Sequence, residues 1–176
     1  MALPDKLLSE TTHKAFEKCS VCGEDLQGQL YFLEKAYHRN LGDDQHSVIF
    51  EYAICEVCKR DMVQHVSKES MQRMQVFMME HQAEVQGMMA HDMGLEQCTF
   101  TGKPLEETEE YHVVAVIRDG ELQMTPVIFG DEVMRTYQEL LSEETKGFFD
   151  DFYDKFIDIP PALAKILGKK VKPVLL

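Results

Sequence analysis

Cys19-Ser20-Val21-Cys22-Gly23 is answered further along the chain by Cys55-Glu56-Val57-Cys58, and these two Cys-x-x-Cys pairs decide the reading of the fold. Together they supply four thiols at the spacing that a structural tetrathiolate zinc site uses. Gly23 closes the first pair into a tight knuckle, and the second pair opens a helical pattern. Between them lie two runs rich in aromatic and β-branched residues, Leu30 to Tyr37 and Ser47 to Ile54, separated by a polar, glycine-containing segment over 38–46. This pattern predicts a hairpin. Strands of matching length, rising about 3.3 Å per residue, carry Cys55 back to the chain that left Cys22. The expected ligands are therefore Cys19, Cys22, Cys55 and Cys58 around one Zn2+ per chain, with iron the rarer occupant of such a shell. Four sulfurs leave no position for water or substrate, so the ion is expected to stabilise the fold rather than to catalyse.

Cys19-x-x-Cys22-Gly23, a hairpin, and Cys55-x-x-Cys58 at a helix start resemble a treble-clef zinc finger over about Lys18 to Val66. The resemblance implies a zinc-bound fold with the four cysteines as ligands. It implies little about function, because members of that superfamily bind nucleic acids, proteins or small molecules, and some cut DNA. The nuclease members add metal-binding histidines on the hairpin and helix. Here the cysteines fill the shell and only His65 lies on the helix, so nuclease chemistry is not expected.

A second half restarts in the same order. Cys98-Thr99-Phe100-Thr101-Gly102 followed by Leu105 parallels the first knuckle followed by Leu26. Tyr111 to Arg118 and Glu121 to Ile128 alternate like strands around Asp119-Gly120, a dipeptide suited to a two-residue hairpin turn. A helical pattern from Asp131 places Val133, Tyr137 and Leu140 on one face, and Ser142-Glu-Glu-Thr145 repeats the capping position of Ser67-Lys-Glu-Ser70. Phe148, Phe152 and Phe156 share a face of the last long helix, with Phe149 and Tyr153 beside them. The expected fold class is α+β, two related knuckle, hairpin, helix, helix units arising from an internal duplication. The expected organisation is a zinc-binding unit over 1–66, a long Met-rich helix over 67–94, a degenerate metal-free unit over 95–159, and a short helix with a basic tail over 160–176. In the second unit Thr101 replaces Cys22, and Gly130 and Val133 replace Cys55 and Cys58, so no second zinc is expected there and Cys98 reads as a small buried residue.

The chain has 176 residues, 44% of them hydrophobic, which suits one ordinary domain or two small ones. Neither an export signal nor an apolar run of membrane-spanning length is read from it, so five cysteines without an export signal point to thiolate ligands in a reducing, cytoplasmic setting. The formal net charge is −13, about −15 with four thiolates and a zinc dication. Such a field repels phosphate backbones, and Lys169, Lys170 and Lys172 form the only concentrated basic stretch. On the 67–94 segment Met71, Met74, Met78, Val85 and Met88 recur at heptad-like spacing, with Met79, Met89 and Met93 nearby. Adaptable packing against this chain, a second copy or another protein explains such a stripe; a copper relay with His81 and His91 is the sharper reading. His38 and His46 near Asp43 and Asp44 read as solvated loop residues, as do Glu106, Glu107, Glu109 and Glu110. The leading expectation is a zinc-binding, non-enzymatic interaction or scaffold module. Its rivals are a nucleic-acid-binding finger and an enzyme with a pocket between the halves near the acidic run.

Overall fold

The computed structural model describes residues 3–90, 95–157 and 174. It is a mixed α/β fold whose described elements are one antiparallel sheet and five α-helices. Strands β1 (Leu30–Arg39) and β2 (His46–Cys55) form the first hairpin. Their register slips between Ala36, which faces Phe50, and Tyr37, which faces Val48, so Ile49 is the extra residue of a bulge. In the second half β3 (Glu110–Arg118) turns through Asp119 and Gly120, at φ +52° and +74°, into β4 (Glu121–Leu122) and β5 (Val127–Gly130). Those two positive φ angles are what a tight primed hairpin turn needs. The single strand expected over 121–128 is instead split, because Pro126 has no N–H to offer the ladder.

The two hairpins join back to back. β1 pairs antiparallel with β3 from Leu30 opposite Arg118 to His38 opposite Glu110, giving the strand order β2-β1-β3-β4 with β5 also on β3. β1 and β3 are thereby covered on both faces, which is why their residues are buried in nearly unbroken runs, Leu33 to Tyr37 and Tyr111 to Ala115. On one face Phe50, Tyr52, His112 and Phe129 meet the helices: Tyr153 and Phe152 of α5 (Glu143–Phe156) pack on Phe50 and Tyr52 with ring centres 5.4 and 5.7 Å apart. Tyr137 of α4 (Asp131–Glu139) packs on Phe129 at 5.3 Å. On the other face Tyr31, Leu33, Lys35 and Tyr37 lie under the amino-terminal segment. There the Tyr37 hydroxyl donates to the Lys6 carbonyl at 2.9 Å, and the Lys35 ammonium donates to the Leu8 carbonyl at 2.6 Å.

Each hairpin runs straight into a helix, β2 into α1 (Glu56–Gln64) and β5 into α4. Ser67 then caps α2 (Lys68–Glu80) by accepting from the Ser70 N–H, as Ser142 caps α5 by accepting from the Thr145 N–H. The two caps face each other. The Ser67 N–H donates to Thr145 Oγ1 at 2.9 Å, the Ser142 N–H donates to Ser70 Oγ at 2.7 Å, and the Ser67 and Ser142 hydroxyls lie 2.8 Å apart. The long helix expected over 67–94 is interrupted at His81, between α2 and α3 (Gln82–Ala90). The His81 ring stacks on Phe77 at 4.3 Å and its Nδ1 sits 2.9 Å from the Phe77 carbonyl, competing for an acceptor of the helical ladder. The short helix and lysine tail expected over 160–176 lie outside the described residues except at Val174, as do His91 and Met93.

The hydroxyl quartet generates a prediction. Ser70→Ala and Thr145→Ala each remove the acceptor for the other helix's first N–H and should each cost about 1–2 kcal/mol in urea unfolding. Because the four hydroxyls share partners, the double variant should depart from additivity by about 0.5 kcal/mol or more. Strict additivity would mean the two caps act separately.

Candidate metal centre and a buried charge cluster

Cys19 to Gly23 form a knuckle closed by the Gly23 N–H donating to the Cys19 carbonyl at 2.9 Å, with Gly23 at φ +75°, a conformation suited to glycine. The knuckle is tied to β2: the Ser20 N–H donates to the Ala53 carbonyl at 2.7 Å, the Ala53 N–H donates to Ser20 Oγ at 3.0 Å, and the Cys55 N–H points at Cys19 Sγ at 3.4 Å. Cys55 ends the strand and Cys58 lies on the first turn of α1. These local devices bring Cys19, Cys22, Cys55 and Cys58 together with all four sulfurs within 4.8 Å of one another. Around a tetrahedral ion with metal–sulfur bonds of about 2.3 Å, sulfurs stand about 3.8 Å apart. Cys22 Sγ and Cys55 Sγ are already 3.9 Å apart. The cluster can therefore hold a metal ion such as zinc.

Its electrostatics ask for a cation. Burial works against ionising Cys19, but the N–H groups of Cys22, Cys55 and Val21 outweigh it and bring that thiol down to about 7. Cys58 is pushed well up, by burial first and then by the three neighbouring sulfurs. Four thiolates at this spacing repel one another unless a positive charge sits among them. His65, which follows the last turn of α1 as its C-cap, lies outside the cluster with its ring stacked on Phe148 at 4.7 Å.

The second knuckle keeps the backbone and loses the sulfurs. The Gly102 N–H donates to the Cys98 carbonyl at 2.9 Å, the Thr99 N–H to the Ile128 carbonyl at 2.9 Å, and the Gly130 N–H points at Cys98 Sγ at 3.4 Å, each contact matching one in the first knuckle. A Cβ at Gly130 would meet Cys98 Cβ at 3.3 Å and Sγ at 3.4 Å. Cys98, 1% exposed, is the one sulfur among the four matching positions 98, 101, 130 and 133. Thr101 is exposed and Val133 is buried.

Other residues singled out in the sequence take structural places. Met74 and Val85 belong to the core, Met71 and Met78 are half-buried, and Met79 is exposed. His46 Nε2 lies 2.8 Å from the Thr108 carbonyl, and its ring meets Tyr111 edge-on. Among the described residues, the four cysteines are the group whose ligand atoms converge for a metal. A cavity of about 670 Å³ does lie between the halves, lined by Phe16, Lys18, Leu26, Tyr31 and Asp119, away from the acidic run.

One cluster escaped sequence reasoning. Glu34 of β1 and His112 of β3 are 1% and 0% exposed. His112 Nδ1 lies 2.8 Å from Glu34 Oε1, its Nε2 lies 3.3 Å from Glu110 Oε1, and the Tyr52 hydroxyl donates to Glu34 Oε2. Burial disfavours the imidazolium, but the carboxylates of Glu110 and Glu34 outweigh it and raise His112 to about 9. Lys59 of α1 lies over the Phe32 ring at 5.3 Å; burial, offset only in part by Glu34, lowers its ammonium to about 8. The sequence signal was ionisable residues set inside apolar runs, Glu34-Lys35 between Leu33 and Ala36 and His112 between Tyr111 and Val113.

No protein-family model, curated protein or solved structure matches the chain. Among the described residues, no helix is long and apolar enough to cross a membrane.

His112 yields a pH signature. Its folded pKa of about 9 stands above the unfolded value of about 6.5, so its ion pairs add stability fully below about pH 6.5 and lose it as pH rises through about 9. The stability gap between wild type and His112→Gln should therefore be widest at pH 6 and shrink by pH 9.5. Lys59 acts with the opposite sign between about 8 and 10.5 but is present in both proteins. Urea titrations at the two pH values measure the gap, and a constant gap would mean that His112 is not charged in the fold.

Proposed function

We propose that the protein is a zinc-stabilised interaction module, with one tetrathiolate zinc fastening the first half and a protein partner bound elsewhere. The convergence of four sulfurs within 4.8 Å carries the metal assignment. Zinc suits such a shell because it imposes no d-electron geometry and undergoes no redox change, and a closed S4 set favours a structural over a hydrolytic role. The matching hydrogen bonds of the two knuckles and the mutual helix caps support reading the halves as diverged copies of a treble-clef-like unit, 1–66 metal-bound and 95–159 metal-free, joined by 67–94. A reducing, cytoplasmic compartment would keep the thiols available for metal. The net charge of −13 favours a protein partner over nucleic acid.

The contact surface on this reading shifts from the methionine stripe to its exposed neighbours. Met74 is 6% exposed, so cutting it back would test packing and not binding. Val76 and Met79 stand outward on α2 at 48% and 74% exposure. Val76 borders an apolar groove of about 400 Å³ shared with Phe77, His81 and Leu140. An apolar lining at a solvent-facing helix is what a protein partner would cover.

Elemental analysis of the native protein should find one zinc per chain, and Cys55→Ser/Cys58→Ser should lose it together with much of the stability, since structural zinc contributes on the order of 10 kcal/mol. Metal retained by that variant, or iron in place of zinc, would remove this half of the proposal. Val76→Glu/Met79→Glu should leave the melting temperature within a few degrees of wild type, as surface changes do. The same variant should abolish capture of the partner or shift the assembly state in light scattering. Unchanged partners and unchanged mass would count against the interaction role.

A further inference from the structure

A carboxylate buried on a central strand is costly for a fold that could use an aliphatic residue there. Val114, directly across from Glu34 on β3, is such a residue. At Glu34, three donors from separate parts of the chain converge. The Tyr52 hydroxyl and His112 belong to the neighbouring strands. The third donor is the backbone N–H of Val174, 2.8 Å from Oε1 and 3.0 Å from Oε2, reaching both oxygens from 140 positions away in sequence. Val174 is 1% exposed.

This contact differs from ordinary packing of a chain end. Val174 joins no strand of the sheet; its backbone is bound by a side chain. Pro173 before it has no N–H, so the position immediately ahead of Val174 offers the carboxylate no competing backbone donor. A hydrogen bond to an ionised acceptor is roughly twice as strong as a neutral one, and stronger still where water is excluded. The Tyr153 hydroxyl of α5, buried beside Phe50, has no hydrogen-bond partner among the described residues.

We propose that Glu34, flanked by Tyr52 and His112, is a recognition site for a backbone N–H of an apolar peptide, and that Val174 of this chain is its resident ligand. The carboxylate receives the N–H, Tyr52 and His112 hold the carboxylate in place, and the Val174 side chain is buried as the anchor. The assignment is independent of the metal centre.

Amide exchange by NMR on the full chain tests it. The Val174 amide should be shifted downfield and exchange about a hundredfold or more slower than in an unstructured peptide of the same sequence. In E34Q, which replaces the carboxyl acceptor by an amide, exchange should quicken about tenfold. V174P removes the donor, so a labelled synthetic peptide of residues 169–176 should bind the site of V174P and not that of V174P/E34Q. A Val174 amide exchanging at the unstructured rate would overturn the proposal. So would a folded E34Q with wild-type Val174 exchange, or a V174P that fails to bind the peptide, which decides the matter should E34Q fail to fold.

Discussion

The ladder between β1 and β3 is the constraint from which the rest of the architecture follows. Each hairpin alone would have an exposed face and an open edge, and would be marginal in water. Joining them through their first strands hides one edge of each and places β1 and β3 at the centre of a common sheet. Central strands have no solvent face, so every residue along them must either pack or find a polar partner. Most are apolar and pack. Glu34, Lys35 and His112 are not, and the fold must answer each: Lys35 reaches the Leu8 carbonyl, Glu10 and Glu51, while Glu34 and His112 satisfy each other with Tyr52 and Glu110.

The two knuckles are alternative solutions to one geometric problem. In both, a short loop is tied to the last strand of its hairpin by the same backbone bonds, and a sulfur accepts from the N–H that starts the following helix. In the first, four thiols are set so close that a cation is the natural way to relieve them. In the second, Cys98 is the one sulfur left, and it packs against Gly130, where a Cβ would stand a tight 3.3 Å from Cys98 Cβ. Close packing replaces coordination, with Phe100 adding a ring against Phe77 and Phe129. A metal contributes at one point and strongly, whereas burial contributes over many contacts, about 25 cal/mol per Å² of apolar surface.

Features set by neighbours in sequence were legible. The cysteine spacing, the Asp119-Gly120 turn, the Ser67 and Ser142 caps and both hairpins all rest on interactions within a few residues. The interruption of β4 and β5 was written in Pro126 but hidden by an apolar alternation that continues past it. The break at His81 depends on Phe77 and Phe100 meeting the ring, which periodicity does not encode. Least legible were the β1–β3 ladder and the Glu34 cluster, because both require strands far apart in sequence to become neighbours. An isolated Glu in an apolar run reads as an exposed position of an amphipathic strand, and only the second hairpin's arrival buries it. The facing of the two caps was hidden for the same reason: helix starts with like dipole ends should repel, yet Glu69, Glu143 and Glu144 lie in those first turns and the hydroxyls share the N–H groups.

The buried charges of the sheet also explain how both ends of the described chain are held. Lys35 and Glu34 are consecutive on β1 and so point to opposite faces. The cation takes hold of the amino-terminal segment through the Leu8 carbonyl and, with Glu51, through the Ser9 hydroxyl and the Glu10 N–H. The anion takes hold of Val174 through its N–H. Each charge thus binds the backbone group of complementary polarity, a carbonyl to the ammonium and an amide to the carboxylate. Neither is needed to form the ladder, whose hydrogen bonds are made by the backbone alone. What the pair adds is direction: Leu8 to Glu10 are fastened above the sheet and Val174 below it, by two adjacent residues of one central strand.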